Sequence, residues 1–384
     1  MLSEETLCDQ LSWVLESSTV RMAVTHQGGH MAPVSFYRDE AKPVQPYHIS
    51  PWQEEDHGVP AGRCEAVLRG DFLCLPFGRS ELSNPAIPSH GRTASEGWSL
   101  IGSRSTDGIH ELCIQMEDAL HSAKVTRQFF LRDGDNIVYD RATISGLIGE
   151  YPVAHHAVIR TPRQGSSLLV STSRQIFGMT FPGLLGDPEK GEYQSLATGA
   201  EFQCLAQVPS IFKGIPDSDC SAFPIRQGFC DLLQIAVEPE NGQPAWTAAV
   251  NKEDGYLWFS LRNAAILPST IIWIENRGRH QPPWSGRNCS LGLEDVCSFF
   301  DTGTSVSRAP NQFSQRGIRT VQNFQIETPF VLPYVQGVLR TPAEFGRVQS
   351  MLCGQRSVTF ADASGREVTA ALKTGFVFGE PIKE

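Results

Sequence analysis

Glycine and proline punctuate this chain from end to end: 34 Gly and 25 Pro are distributed through 384 residues, and no stretch pools them into a linker. Pro removes a backbone donor and Gly makes ordering costly in entropy, so this spacing disfavours long helices and suits short strands joined by tight turns. The apolar periodicity agrees with that reading. Val20, Met22 and Val24 alternate before His26-Gln27-Gly28-Gly29, and Met31 to Phe36 reads as the returning strand. Lys124 to Arg132 and Asp135 to Ile144 flank Asp133-Gly134, a dipeptide that matches the twist of a hairpin. Ser357 to Phe360 and Glu367 to Leu372 flank a Ser364-Gly365 turn in the same way. No repeat of fixed period is visible, which argues against propellers and solenoids. Residues 1–384 are therefore expected to form a single, large, all-β domain, an antiparallel β-sandwich. One short helix is expected at the N-terminus, where Ser3 can cap, Glu4 and Glu5 suit the positive helix end, and Leu7, Leu11, Val14 and Leu15 form an apolar stripe.

Composition narrows the function. A chain that is 40% hydrophobic and 19% charged can bury a large core. Its net charge of −10, from 32 basic and 42 acidic residues, argues against nucleic acid as a partner, because that affinity rests on clustered Lys and Arg. The opening run MLSEETLCDQLSWVLESS carries acids where a secretory leader carries Lys or Arg, and no segment approaches the roughly 20 apolar residues that span a bilayer. A cytoplasmic protein with no membrane partner is the expectation. Ten cysteines form no C-x-x-C pair, so neither a zinc ribbon nor a redox motif has support.

Three stretches have the composition of a site. Ile272 to Phe300 places Arg277, Arg279, His280, Trp284 and Arg287 ahead of Ser290-Leu291-Gly292-Leu293, with Glu294 and Asp295 following at a strand end. A carboxylate, fork-shaped donors and an indole face suit a polyol ligand, and the arginines would also suit an anionic one. Leu68 to Trp98 brings Arg69, Asp71 and Arg79 to a Pro-rich loop and then to His90-Gly91-Arg92, where a loop imidazole can exchange protons near neutral pH. Tyr151 to Ile159 contains His155 and His156, which a strand would turn to opposite faces, so only one of them can enter a given site.

An early His-Gly loop, a second His in a strand after a Pro, and a late Gly-Leu-Glu carboxylate resemble, in this order, the galactose mutarotase (aldose 1-epimerase) superfamily. The likeness runs from about Val20 to Phe376 and is closest over Trp273 to Asp295. It implies a large β-sandwich, a sugar or sugar derivative as ligand, and interconversion of sugar anomers without a cofactor or metal. By this resemblance Glu294 matches the general base at the anomeric hydroxyl, His156 or His155 the general acid at the ring oxygen, and His90 the supporting His. Arg69 or Arg79 matches the early sugar-binding Arg, and Asp217, Asp219 and Asp231 lie where the family has a further hydroxyl-binding Asp. Asp71, Arg279, Trp284 and Arg287 complete the substrate-binding candidates. The chain lacks the family's Asn-His-x-x-Phe context around the second His, which bears on catalysis more than on fold.

The residue types support the same chemistry by themselves, since opening a hemiacetal needs one group to take a proton from O1 and another to deliver one to O5. Two rivals remain. A noncatalytic carbohydrate-binding or sugar-sensing protein would keep the groove and lose turnover. A two-His-one-carboxylate metal site from His90, His155 or His156 and Glu294 is the other, and no H-x-H cluster supports it.

Overall fold

The computed structural model describes residues 2–80, 87–118, 121–163 and 165–382, so residues 81–86 of the Pro-rich loop lie outside it. Its strands pair antiparallel into two large sheets. The first has eleven strands in the order Ser3–Leu7, Gln10–Glu16, Val20–Thr25, Met31–Phe36, Asp71–Cys74, Val153–Arg160, Cys289–Cys297, Ser269–Asn276, Phe229–Val237, Gln175–Thr180 and Glu201–Phe202. The second has nine, in the order Ala222–Phe223, Leu168–Thr172, Ala245–Asn251, Tyr256–Arg262, Phe330–Arg340, Ile137–Ser145, Ala123–Arg132, Ile109–Asp118 and Ser99–Thr106.

The two sheets face each other across one core, to which Met22, Leu73, Val153, Ile159 and Leu293 contribute from the first sheet and Ile114, Val125, Phe129, Trp258 and Val338 from the second. Each sheet is also covered on its outer side. Phe376 and a three-stranded sheet of Val348–Cys353, Ser357–Asp362 and Glu367–Ala371 pack on Tyr139, Leu257 and Phe259. On the first sheet, Phe72, Ala154, Val158, Trp273 and Val296 lie under loop residues that include Trp52, Phe77, Trp284 and Phe313. Burial on both faces explains why Ile271 to Ile274 and Tyr256 to Phe259 read as unbroken apolar runs instead of alternating ones.

The three hairpins expected from turn residues are present. The N-terminal helix is not. Ser3–Leu7 and Gln10–Glu16 form a hairpin turned at Cys8 and Asp9, both with positive φ. The spacing of Leu7, Leu11 and Leu15 fits a helix, but Leu11-Ser12-Trp13-Val14-Leu15 also fits an edge strand, and the ladder to Val20–Thr25 supplies the backbone partners that decide between them. Among the described residues the α-helix is the short segment Thr304–Arg308, and no helix is long and apolar enough to cross a membrane.

Candidate functional site

The site forms where three strands lie in register. Val153–Arg160 sits between Asp71–Cys74 and Cys289–Cys297, and His156 is the direct partner of Phe72 on one side and Glu294 on the other. Directly opposed side chains in an antiparallel pair meet at Cβ distances of about 4.5–5.5 Å. Strand alternation then separates neighbours. Ala154 and Val158 pack on the outer side of the sheet with His156, whereas Val153, Ala157 and Ile159 enter the core between the sheets with His155. The same alternation turns Glu294 and Val296 outward and Leu293, Asp295 and Cys297 inward.

On the outer face, His156 Nε2 lies 3.2 Å from Glu294 Oε1. The His156 ring stacks on Phe72 with centroids 4.5 Å apart, and His90 stands edge-on to it at 5.1 Å. These residues line a cavity of about 200 Å³ together with Glu65, Arg79, Ser89, Leu185, Leu232, Trp273, Arg279, Trp284 and Asp301. Arg79 Nε donates to Asp301 Oδ2 at 2.9 Å. The Arg279 guanidinium lies 4.7 Å over the Trp284 ring and 5.6 Å from that of Trp273, a cation–π arrangement that holds it beside both indoles. His90 Nδ1, His156 Nδ1 and Asp301 Oδ1 are buried with no hydrogen-bond partner, so the cavity offers polar atoms that nothing in the protein satisfies.

Burial sets the electrostatics. It holds the Glu294 carboxyl well above the usual carboxylate range; the charge of Asp301 adds to this and Arg279 opposes it. Burial holds His156 well below the ordinary imidazole value, with His90 and His30 pushing the same way. His90 is also lowered by burial, against the pull of Asp301 and Glu65. A buried acid and imidazole in contact, both disfavouring charge, are best described as a pair holding one proton between them.

Two glycines explain why the site motifs read as they do. A Cβ at Gly91, whose φ is +78°, would lie 2.0 Å from the Leu75 carbonyl oxygen, so the loop that presents His90 can pass Leu75 only with Gly there. A Cβ at Gly292 would lie 2.8 Å from Glu294 Oε1 and 3.0 Å from Trp273 Cβ. Gly292→Ala is therefore expected to displace the Glu294 carboxylate, a mobile side-chain end, at a stability cost of about 1 kcal/mol, the centre of point-mutant effects. A reaction that uses the Glu294 carboxylate should lose more than the fold does, at least tenfold in kcat/KM by the sensitivity of catalysis to misplacements of about 1 Å. A parallel thermal melt and rate measurement checks this, and an unchanged rate would show that the carboxylate position is not critical.

Several sequence candidates lie elsewhere. Arg69 is buried and donates to the carbonyls of Leu7 and Cys8, both at 2.9 Å, so it secures the N-terminal hairpin turn, and Arg79 is the early arginine at the cavity. Asp71 and His155 face the core between the sheets: Asp71 Oδ2 is 3.0 Å from His155 Nδ1, and Arg127 bridges Asp71 and Asp140 at 3.0 and 2.6 Å. His155 also stacks on Tyr334. Arg287 pairs with Glu55 on the surface and leaves the cavity to Arg279. Asp295 belongs to a buried group with Arg262, Thr247, Ser260 and Tyr334. Asp231 accepts from the Ser195 and Leu196 backbone, Asp219 from Ser221, and Asp217 sits in the Ile215–Ser218 strand, so none lines the cavity. Trp273, Glu65 and Asp301 line it without having been singled out. Trp273 opposes Gly292 in register, a relation that spacing along one strand does not reveal.

Among the described residues, the group of His, Cys, Asp and Glu with three donor atoms within 4.8 Å of one another is Asp71, Asp140 and His155, not His90, His156 and Glu294. Arg127 bridges both carboxylates of this group and supplies the positive charge beside them.

This arrangement of two facing antiparallel sheets is the galactose mutarotase-like β-sandwich fold. A galactose mutarotase-like protein from Clostridium acetobutylicum superposes with a TM-score of 0.57 at 11% identity, covering 89% of this chain and 99% of that one. A provisionally named mutarotase from Salmonella typhimurium gives a TM-score of 0.57 at 14% identity, over 88% and 94% of the two chains. A provisionally named aldose 1-epimerase from Escherichia coli K12 gives 0.56 at 13%, over 86% and 99%. At these identities the shared property is the fold. No protein-family model matches the sequence, and no curated protein matches it.

Proposed function

We propose that this chain binds a sugar in the Glu294–His156 cavity and interconverts its anomers as an aldose 1-epimerase-like enzyme, with residues 1–384 acting as one unit. The observation that carries the reading is the 3.2 Å contact of carboxylate and imidazole in a cavity of monosaccharide scale walled by Trp273 and Trp284. Indole faces suit the apolar faces of a pyranose, while the uncommitted polar atoms suit its hydroxyls. In ring opening the shared proton passes to His156 across the 3.2 Å contact; the Glu294 carboxylate then takes the proton from O1 as the C1–O5 bond breaks and the C1 carbonyl forms, and His156 gives its proton to O5. After rotation about C1–C2 the ring closes on the other carbonyl face with the two roles exchanged. The pair starts and ends with one proton, so no net proton exchange with water is needed. His90, edge-on to His156, is placed to bind a hydroxyl and orient the ring.

The shared proton sets the pH dependence. A second proton must go to His156, whose affinity burial lowers, so the acidic limb of kcat/KM should fall below the ordinary imidazole value of 6.5. Loss of the shared proton is governed by Glu294, which burial raises, so the alkaline limb lies above the ordinary carboxylate value of 4.5. A rate profile in which activity already declines with falling pH above 6.5 would contradict the pairing. The direct test follows anomer equilibration by proton NMR over a panel of aldoses and uronic acids. Acceleration of any member supports the enzyme. A sugar-binding protein without turnover is the second reading, favoured by the absence of Asp217, Asp219 and Asp231 from the cavity, and calorimetric binding without acceleration would select it.

A further inference from the structure

We propose that Asp301 is a specificity-determining residue of this cavity, whose free carboxylate oxygen accepts a hydrogen bond from a sugar hydroxyl away from the anomeric centre. This rests on the sugar-binding reading above. The other acids of the site are already engaged: Glu294 lies against His156, and Glu65 is bridged by Arg63 at 3.2 Å. Asp301 is only half engaged. Its Oδ2 accepts from Arg79 Nε at 2.9 Å and its backbone carbonyl accepts from the Arg79 N–H at 2.7 Å, so the residue is clamped at two points. Its Oδ1 is buried and has no partner, on a side chain that lines the cavity. A carboxylate oxygen can only accept while ionised, so the missing partner is a donor, and a sugar hydroxyl is one. Clamping by Arg79 removes the rotamer freedom that would otherwise be lost on binding, which makes the oxygen a preorganised reader of one hydroxyl position.

Its place in the chain is unlike that of the Asp217, Asp219 and Asp231 candidates. Asp301 follows the strand that carries Glu294, on the segment leading to Thr304–Arg308, so the strand that supplies the proposed base also delivers the reader. Its charge acts on the same machinery. The charged and titratable groups that line the cavity with Glu294 are Cys64, Glu65, Arg79, His90, His156, Arg279 and Asp301, with Cys74 beside it, and among them Asp301 raises the carboxyl while Arg279 lowers it.

The test uses the full-length protein, the aldose it accelerates most, and the monodeoxy analogues of that aldose. Asp301→Asn should raise KM by about 10- to 100-fold, the weight of one hydrogen bond to a charged group, with kcat changed less than about threefold. The unmodified protein should discriminate against one deoxy analogue by a similar factor, and Asp301→Asn should lose that discrimination. The alkaline limb of kcat/KM should move to lower pH in the variant, a shift that a purely structural residue would not produce. Unchanged KM, analogue preference and alkaline limb in a folded variant overturn the proposal while leaving the enzyme reading intact. Should Asp301→Asn fail to fold, the unmodified protein still decides: equal KM for all deoxy analogues overturns it. Should no aldose be accelerated, titration calorimetry with D-galactose and D-glucose replaces the rates. Binding weakened in Asp301→Asn supports the proposal, equal binding overturns it alone, and no binding by the unmodified protein overturns it together with the sugar-binding reading.

Discussion

Glu294→Gln is expected to lower kcat for anomer interconversion by about 10²–10⁴, the usual contribution of one positioned acid or base, while sugar affinity stays within a few fold. The amide keeps the shape of the carboxyl group and its place opposite His156 in the strand ladder. It cannot hold the shared proton or accept one from O1. Rates by NMR exchange, set beside calorimetric affinity, check the expectation. His156→Ala should behave similarly, and His155→Ala should retain turnover if folded, because its ring stacks on Tyr334 in the core. A near-normal rate in Glu294→Gln would remove Glu294 from the proposed role.

The neighbouring acid should behave in the opposite way. Asp295→Ala is expected to destabilise the fold by about 3–5 kcal/mol, the cost of breaking a buried ion pair by removing one partner. Asp295 Oδ1 lies 2.7 Å from Arg262 Nη1, both side chains are fully buried, and the carboxylate also accepts from Thr247, Ser260 and Tyr334. Removing it leaves a guanidinium and several hydroxyls with unmet demands in the sandwich core. Against typical domain stabilities of about 5–15 kcal/mol, that is a large share. A fall in the urea midpoint at unchanged slope would report it. A loss below about 1 kcal/mol would mean that the core relaxes or admits water around Arg262, since even an ordinary unmet buried group costs about that much.

Two adjacent carboxylates with such different expected effects show where reading a chain ends and folding begins. Alternation is local: the backbone geometry of a strand turns His155 and His156 to opposite faces, and this much was legible in the sequence, whereas Glu294 and Asp295 read as a strand end and in fact alternate within Cys289–Cys297. Punctuation by Gly and Pro, the Asp133-Gly134 turn and the period-two runs were legible for the same reason, since each depends on a few consecutive residues. Which face holds the cavity was not. It follows from the second sheet closing over one side of the first, and nothing within Val153–Arg160 marks that side, where both faces are buried. The N-terminal hairpin and the choice of Arg79 over Arg69 have the same origin: a ladder to Val20–Thr25 and two turn carbonyls became available only once the chain was folded. Asp301 is the clearest case. Its significance depends on Arg79 and on a cavity assembled from distant strands, because long-range register is decided by packing and not by the spacing of residues along one strand.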